Sequence, residues 1–277
     1  MIEDMKSSWR LGAAACVSGF TLMAYELVAA RLLAPSVGNS TYVWTGVIGV
    51  IIIALSAGCW LGGRVADYRH APQDVGLLLI VAAALVMITI LSANNTLRWL
   101  TTVLDEPRIQ AVIAALALFA PASFVLGAVS PYLAKLNVSS LDTAGRSVAN
   151  LSALDAVGGI AGTFVTGFVL LGMIGLNETL ALITGILLAT SWLFIPRWQW
   201  QLRALMVGAV IVAALSGLYM PKHGDVSIET PSAHYSIVNY TSNGRQIRGL
   251  VTGPTGVQSG VYLDDTKDSI IDRKSVV

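Results

Sequence analysis

Seven apolar stretches, each close to the length that crosses a lipid bilayer, occupy most of the chain between residues 11 and 219. A transmembrane helix needs about 20 mostly apolar residues to cross about 30 Å of hydrocarbon. In lipid, only a backbone that satisfies its own hydrogen bonds is stable, which favours helices. Charged residues make up 12% of the chain, against about 25% in soluble domains. The sequence therefore predicts an all-α polytopic membrane bundle of about seven transmembrane helices, with the lipid bilayer as its partner.

The expected spans are bounded by prolines and by residues that favour the membrane surface. They cover residues 11–33, 42–62, 75–93, 109–133, 148–172, 179–195 and 204–219. Because proline lacks the N–H that a helix needs, Pro35 is expected to end the first span, and Pro121 and Pro131 to kink the fourth. The tryptophans fall near span ends, where indole favours the headgroup level. They are Trp9, Trp44, Trp60, Trp99, Trp192, Trp198 and Trp200.

The distribution of basic residues between the loops predicts the orientation, because cytoplasmic loops carry an excess of Lys and Arg. One set of loops holds only Arg98 and Arg108. The opposite set holds Lys6, Arg10, Arg64, Arg69, Lys135, Arg146, Arg197 and Arg203. This bias predicts a multi-pass protein of the cell (inner) membrane with a cytoplasmic N-terminus. Seven spans would place the C-terminal segment outside, and one further crossing would reverse that side.

The composition changes near residue 222, which divides the chain into two predicted parts. Residues 1–221 form the transmembrane helical domain, and residues 222–277 form a small β-rich soluble segment. Of the chain's 33 charged residues, 12 lie in this last fifth. Asn243-Gly244 stands between two β-rich runs, which is a strong signal for a β-hairpin. We therefore expect a small C-terminal β-hairpin segment of two or three strands.

Bulk charge and the cysteines argue against several classes of protein. A formal net charge of +1 gives no basic face for nucleic acid. Cys16 and Cys59 both lie in apolar stretches, and the three histidines show no ligand spacing, so no metal site is predicted. Neither a hydrolase motif nor a Gly-rich phosphate-binding loop is present, so no catalytic residue and no cofactor is predicted.

Charged residues inside the spans are the strongest candidates for function, because each costs about 2.5–3.5 kcal/mol or more at the bilayer centre. Glu26 lies about seven residues, or roughly 10 Å, from the outer end of the first span. Asp155 lies about two turns inside the fifth span. Together with Arg31 and Asn150, these residues are candidates for a substrate or ion pathway. The alternative is that the two acids are structural hydrogen-bond acceptors between helices, and the sequence leaves both possibilities open.

Small residues recur at a spacing that brings helices into contact. Ala54, Gly58 and Gly62 share one face of the second span, and Gly158 and Gly162 share one face of the fifth. This pattern indicates close packing rather than chemistry. It predicts that the second and fifth spans are central in the bundle.

The run that closes the second span, LGGRVADYR at residues 61–69, resembles the loop between the second and third helices of major facilitator transporters. The resemblance implies a cytoplasmic latch, in which Arg64 and Asp67 tie helix ends together through charge and helix-dipole contacts. The match is partial, since Tyr68 stands where that family usually has arginine. The alternative is an ordinary Gly-Gly-Arg turn at a membrane loop.

As a whole, the chain resembles membrane-bound fused spermidine synthase-like proteins, in which a transporter-like membrane part is joined to a spermidine synthase domain. The likeness rests on ELVAARLLAP at residues 26–35, GCWLGGRVAD at 58–67 and short β-rich runs in the tail. In those runs, Glu229, Tyr235, Gln258 and Asp264 match the N-terminal part of the synthase domain. The resemblance fades after Asp264-Asp265-Thr266.

The resemblance implies a membrane module associated with polyamine aminopropyltransferase-type chemistry. That chemistry needs a Gly-rich turn for the nucleotide-like cosubstrate and acids for the amine, and neither follows Asp265. We therefore expect a chain truncated before the catalytic Rossmann-like sheet and not catalytic alone, with a downstream synthase-like domain or subunit as partner; whether it is an enzyme stays open. The alternative function is that of a transporter-like membrane protein for a cationic or amphipathic small solute.

Overall fold

The structure, a computed structural model, describes residues 2–38, 40–69, 71–138, 141–196, 201, 208, 226–229, 234–242, 245–251 and 257–263. Most of this part of the chain is helical. The helices are α1 (Ile2–Val37), α2 (Thr41–Tyr68), α3 (Pro72–Val103), α4 (Pro107–Leu118), α5 (Ala120–Asn137), α6 (Leu141–Val165), α7 (Leu171–Met173) and α8 (Leu176–Ser191). A π-helical segment, Thr166–Leu170, joins α6 to α7.

Several of these helices are compatible with a multi-pass membrane protein. Within the described residues, four are long and apolar enough to cross a bilayer, or five if α4 and α5 form one bent span. The predicted sixth span corresponds to α8, which at 16 residues is a shorter apolar helix. The predicted seventh span, residues 204–219, lies outside the described residues apart from residue 208. The seven predicted spans are thus reduced to four or five in the described part of the chain.

The first three observed helices extend beyond the predicted spans. α3 has 32 residues, and α1 continues through Pro35 to Val37. The prediction that Pro35 ends the first helix is wrong, because a proline so close to the end removes only one intrahelical hydrogen bond. Gly38 follows with a positive φ of 97°, a conformation that favours glycine. Hydropathy marks the residues that tolerate lipid, whereas backbone hydrogen bonds continue the helix into polar sequence.

The predicted fourth span is broken. α4 and α5 meet at Phe119 with a bend of 53°. The break lies two residues before Pro121, so the kink predicted there is confirmed, and the helix continues through Pro131. Pro121 has no N–H for the carbonyl four residues earlier, which explains why the regular bonding fails at this point.

The helix ends alternate between two sides of the bundle. The Tyr132 hydroxyl near the end of α5 donates to the carbonyl oxygen of Arg69, directly after α2. Gly76 near the start of α3 packs against the end of α8. At the opposite end, the Arg108 guanidinium lies 4.2 Å from the centre of the Tyr42 ring. One of the two predicted sets of loops is richer in Lys and Arg. Its described basic residues lie at the end of the bundle where α2 ends and α3 begins: Arg10, Arg64, Arg69, Lys135 and Arg146.

Glycines bring α1 and α6 into backbone contact. A Cβ atom built at Gly158 would overlap the carbonyl oxygen of Cys16, and one built at Gly162 would overlap that of Phe20. The contact advances by four residues on both helices, so α1 and α6 run parallel. The packing role predicted for Gly158 and Gly162 is confirmed.

A second glycine contact joins α2 to α5. Gly58 faces the backbone of Phe124, and Gly62 faces the Cα atom of Ala128. Ala54 is also buried on this side of α2. The close-packing face predicted for the second span is confirmed, and this pair is also parallel.

The prediction that the second and fifth spans are central is wrong for the described residues. In their most apolar windows, 28% of the residues of α2 and of α6 are buried, against 56% for α1 and 44% for α3. The glycine faces are narrow, and most of each of these two helices faces outward. Small residues therefore report how closely a helix approaches one neighbour, and they do not report how many neighbours surround it.

The tail forms a four-stranded antiparallel sheet in the order β1-β2-β3-β4. The strands are β1 (Val226–Glu229), β2 (His234–Ser242), β3 (Arg245–Val251) and β4 (Val257–Tyr262). Ser242 pairs with Arg245, which confirms the hairpin predicted around Asn243-Gly244. The sheet has four strands instead of the two or three expected, because β1 and β4 both pair with the hairpin.

Candidate functional site

Glu26 and Asp155 lie on the two helices of one tightly packed pair. The carbonyl oxygen of Asp155 faces Gly19 of α1, seven residues before Glu26. At about 1.5 Å per residue, the two side chains are therefore offset by about 10 Å or more along the parallel axes. The two acids therefore lie at two levels of the α1–α6 pair and do not form one pair of ligands.

Both acids are partly buried in helices that are otherwise mostly apolar. Among the described residues, no hydrogen bond or ion pair reaches the carboxylate of Glu26 or of Asp155. A structural role between helices would need a donor, and the described part of the chain supplies none. An unneutralised carboxylate at membrane depth is costly, so a cation at either position would be stabilised.

The other two pathway candidates lie five residues from an acid. Arg31 is partly buried on α1 beyond Glu26 and makes a polar interaction of its own. Asn150 is exposed near the start of α6, before Asp155. Five residues correspond to about 140° around a helix, so neither residue shares a face with its neighbouring acid. Arg31 and Asn150 are therefore not placed beside the acids.

A buried polar cluster holds the break between α4 and α5. The Tyr25 hydroxyl lies 2.9 Å from Thr89 Oγ1 and donates to the carbonyl oxygen of Leu118 at 3.0 Å. Thr89 Oγ1 lies 2.8 Å from the same carbonyl oxygen. The Tyr25 ring also packs edge-on against Phe119, with ring centres 5.4 Å apart. Side chains of α1 and α3 thus satisfy the last carbonyl of α4, as a broken helix at membrane depth requires.

Two buried hydroxyl groups have no hydrogen-bond partner in the described structure: Ser123 Oγ and Thr166 Oγ1. Both residues have 0% exposure. Ser123 lies one turn after the break, on the same side of α5 as Phe119. Thr166 opens the π-helical segment, and π-helical turns are frequent at functional sites. Buried hydroxyls are normally satisfied, so each unpaired group points to an absent partner.

The residues predicted as a latch lie at the end of the bundle that carries most of the basic residues. Asp67 pairs with Lys135 of α5, with Nζ 2.8 Å from Oδ1. Arg64 stacks over the Trp60 ring, 3.8 Å from its centre. Asp67 therefore ties α2 to α5, whereas Arg64 packs on its own helix.

A tyrosine that the sequence did not single out adds to this contact. The Tyr132 hydroxyl lies 2.6 Å from both the carbonyl oxygen of Arg69 and Asp74 Oδ2. Asp74 lies in the first turn of α3, where the helix dipole favours a carboxylate. This arrangement joins the α2–α3 connection to α5. No sequence spacing could have revealed it, since Tyr132 and Asp74 are separated by 58 residues.

The synthase-like tail residues occupy the small sheet as far as it is described. Glu229 ends β1 opposite His234, and Tyr235 pairs with Ile228. Gln258 lies in β4 beside the register shift near Val251. Asp264 lies outside the described residues.

Among the described residues, no group of three or more His, Cys, Asp or Glu side chains is placed to hold a metal ion. Comparison of the chain with protein-family models, with curated proteins and with solved structures found no match.

Proposed function

We propose that this chain is a transporter-like membrane protein that binds a cationic small solute at Glu26 and Asp155. One observation carries the proposal: two partly buried carboxylates, without a partner in the described structure, lie on the closely packed helices α1 and α6. A positively charged group would offset the cost of each carboxylate in a medium of low dielectric. The surrounding helices are apolar, which suits an amphipathic solute as well as a compact cation.

The offset between the acids favours two successive positions for the solute. Asp155 lies nearer the end of the bundle that holds Arg69 and Lys135, and Glu26 lies deeper along α1. The two carboxylates would therefore bind a cation at two separate levels of the α1–α6 pair. The basic residues at the first end are the basis for proposing that this end is cytoplasmic, in an inner membrane.

Uptake of radiolabelled spermidine into liposomes tests this function. We expect Glu26→Gln and Asp155→Asn each to reduce uptake at least tenfold, because the amide removes the charge and keeps the shape. Asp105→Asn is the matched control, since Asp105 is exposed beyond the end of α3. Wild-type uptake in both interface variants, or no uptake by the wild-type protein, would contradict the proposal.

The small sheet favours a second candidate function, that of a membrane module for an aminopropyltransferase-like domain. A four-stranded antiparallel sheet follows the helices, in the region whose residues resemble the start of a synthase domain. The coding sequence downstream of codon 277, or of the adjacent gene, tests this function. We expect it to encode a Gly-rich nucleotide-binding sheet, and unrelated sequence in both places would count against the module.

A further inference from the structure

We propose that Thr166 and Glu26 form a binding site for an organic ammonium group between α1 and the π-helical segment. This inference rests on the proposed function and adds a second, uncharged ligand to one of its two carboxylates. The Thr166 hydroxyl carries the argument, because it is fully buried and has no hydrogen-bond partner in the described structure.

The spacing along α6 directs Thr166 towards α1. Gly158, Gly162 and Thr166 follow one another at intervals of four residues, which keeps them on one helix face. The two glycines both meet the α1 backbone. Thr166 is the next position of that face and the first with a polar side chain. Its hydroxyl therefore follows two glycines that meet the α1 backbone.

The same register brings Thr166 to the level of Glu26. Beyond the contact between Gly162 and Phe20, Thr166 lies four residues further along α6 and Glu26 six residues further along α1. At about 1.5 Å per residue, both lie roughly 6–9 Å beyond that contact on parallel helices. A Cβ atom built at Gly167 would lie 3.9 Å from Leu27 Cδ1. The π-helical segment therefore packs against the turn of α1 that carries Glu26.

The π-helical geometry accompanies a Thr166 hydroxyl that is not bonded within its own helix. The N–H of Leu171 donates to the carbonyl oxygen of Thr166, five residues earlier, which gives a wider turn than an α-helix has. By contrast, the Thr163 hydroxyl donates to the Gly159 carbonyl oxygen at 2.9 Å and is satisfied within its own helix. Thr166 makes no such bond, so its oxygen remains available as an acceptor.

An ammonium group matches these two partners. It carries N–H donors and a positive charge. A carboxylate accepts a hydrogen bond from such a group and neutralises its charge, and a hydroxyl oxygen supplies a second acceptor. One bound ammonium group would neutralise the charge of Glu26 and satisfy the hydrogen-bonding capacity of the Thr166 hydroxyl. Asp155, at another level of the interface, has no such hydroxyl assigned to it.

Binding of radiolabelled spermidine to the purified protein tests the site, with Thr166→Val, Thr166→Ser and Thr163→Val as variants. We expect Thr166→Val to weaken binding about tenfold or more, since it removes a hydrogen bond to a charged group. Thr166→Ser keeps the hydroxyl and should bind close to wild type, as should the control Thr163→Val. Without ligand, Thr166→Val should unfold at the same temperature as wild type or higher, because it removes an unpaired buried hydroxyl.

Three results would overturn the site. They are unchanged binding by Thr166→Val, equal losses in Thr166→Val and Thr166→Ser, and binding of radiolabelled sodium without competition from spermidine. Glu26→Gln separates this inference from the proposed function. If Glu26→Gln loses binding and Thr166→Val does not, only the hydroxyl assignment fails. If the wild-type protein binds no spermidine, the proposed function fails with it.

Discussion

The hydroxyl of Tyr25 donates to the carbonyl oxygen of Leu118 across 93 residues of sequence, at a distance of 3.0 Å. That carbonyl ends α4, one residue before the chain bends by 53° at Phe119. Thr89 reaches the same oxygen from α3. Three elements distant in sequence thus meet at the break between α4 and α5.

The polar cluster at the break should stabilise the fold. Tyr25→Phe and Thr89→Val should each lower the free energy of unfolding by about 1–3 kcal/mol, because each removes hydrogen bonds from a buried cluster. The double variant should lose less than the sum, with a coupling of about 0.5 kcal/mol or more. Thermal and denaturant unfolding in detergent would measure these values.

Thr45→Val is the control for that cycle, since the Thr45 hydroxyl bonds only to the Thr41 carbonyl one turn earlier and is exposed. We expect it to change the unfolding free energy by less than about 0.5 kcal/mol. Additive losses in the double variant would show that Tyr25 and Thr89 act independently, against the cluster described above.

The glycine contact between α1 and α6 should tolerate no side chain. Gly158→Ala should destabilise by about 1–3 kcal/mol or more, because its Cβ would overlap the Cys16 carbonyl and the helices would have to separate. Gly185→Ala is the matched control, as nothing lies within 4 Å of a Cβ built there. It should be neutral or stabilising by up to about 1 kcal/mol. Similar effects at both positions, measured by thermal unfolding, would refute the close approach.

At the more basic end of the bundle, the buried tyrosine should matter more than the exposed ion pair. Tyr132 is 2% exposed, so Tyr132→Phe should cost about 1–3 kcal/mol by removing a buried donor that Asp74 and the Arg69 carbonyl share. Lys135→Ala should cost at most about 1 kcal/mol, since the side chains of Lys135 and Asp67 are 45% and 63% exposed. Unfolding in low and high salt would measure both, and a larger loss for Lys135→Ala would contradict this ranking.

The alternation of helix ends predicts opposite accessibility for Asp105 and Gly145. Asp105 follows α3, and Gly145 is exposed near the start of α6. In a background without Cys16 and Cys59, a membrane-impermeant maleimide should label Gly145→Cys only in inverted vesicles. Asp105→Cys should be labelled only in intact cells. Labelling of both variants from one side would exclude the alternating arrangement, and the reversed pattern would exclude a cytoplasmic N-terminus.

The helical stretches and the hairpin could be predicted because their causes are local. Apolar length marks a membrane helix, proline marks a break, and Asn-Gly marks a tight turn. The helix ends were less predictable, since Pro35 lies inside α1 although its chemistry favours a stop. The small-residue spacing in α2 and α6 correctly identified contact faces. It could not indicate that these faces are narrow, because spacing on one helix contains no information about the others.

The candidate site likewise contains residues that the sequence identifies and one that only the structure reveals. Glu26 and Asp155 stand out in the sequence because a charge among apolar residues is costly however the helices are arranged. Thr166 does not stand out, since a threonine in an apolar helix usually bonds its own backbone, as Thr163 does.

By itself, the sequence determined that the chain builds apolar helices and that two acids lie within apolar stretches, because hydrophobicity and charge belong to each residue. The tertiary structure alone decided that α1 pairs with α6, that the acids lie at different levels, and that the Thr166 hydroxyl is buried without a partner. Those properties depend on how two helices pack, and the free energy of packing comes from residues that are far apart in the chain.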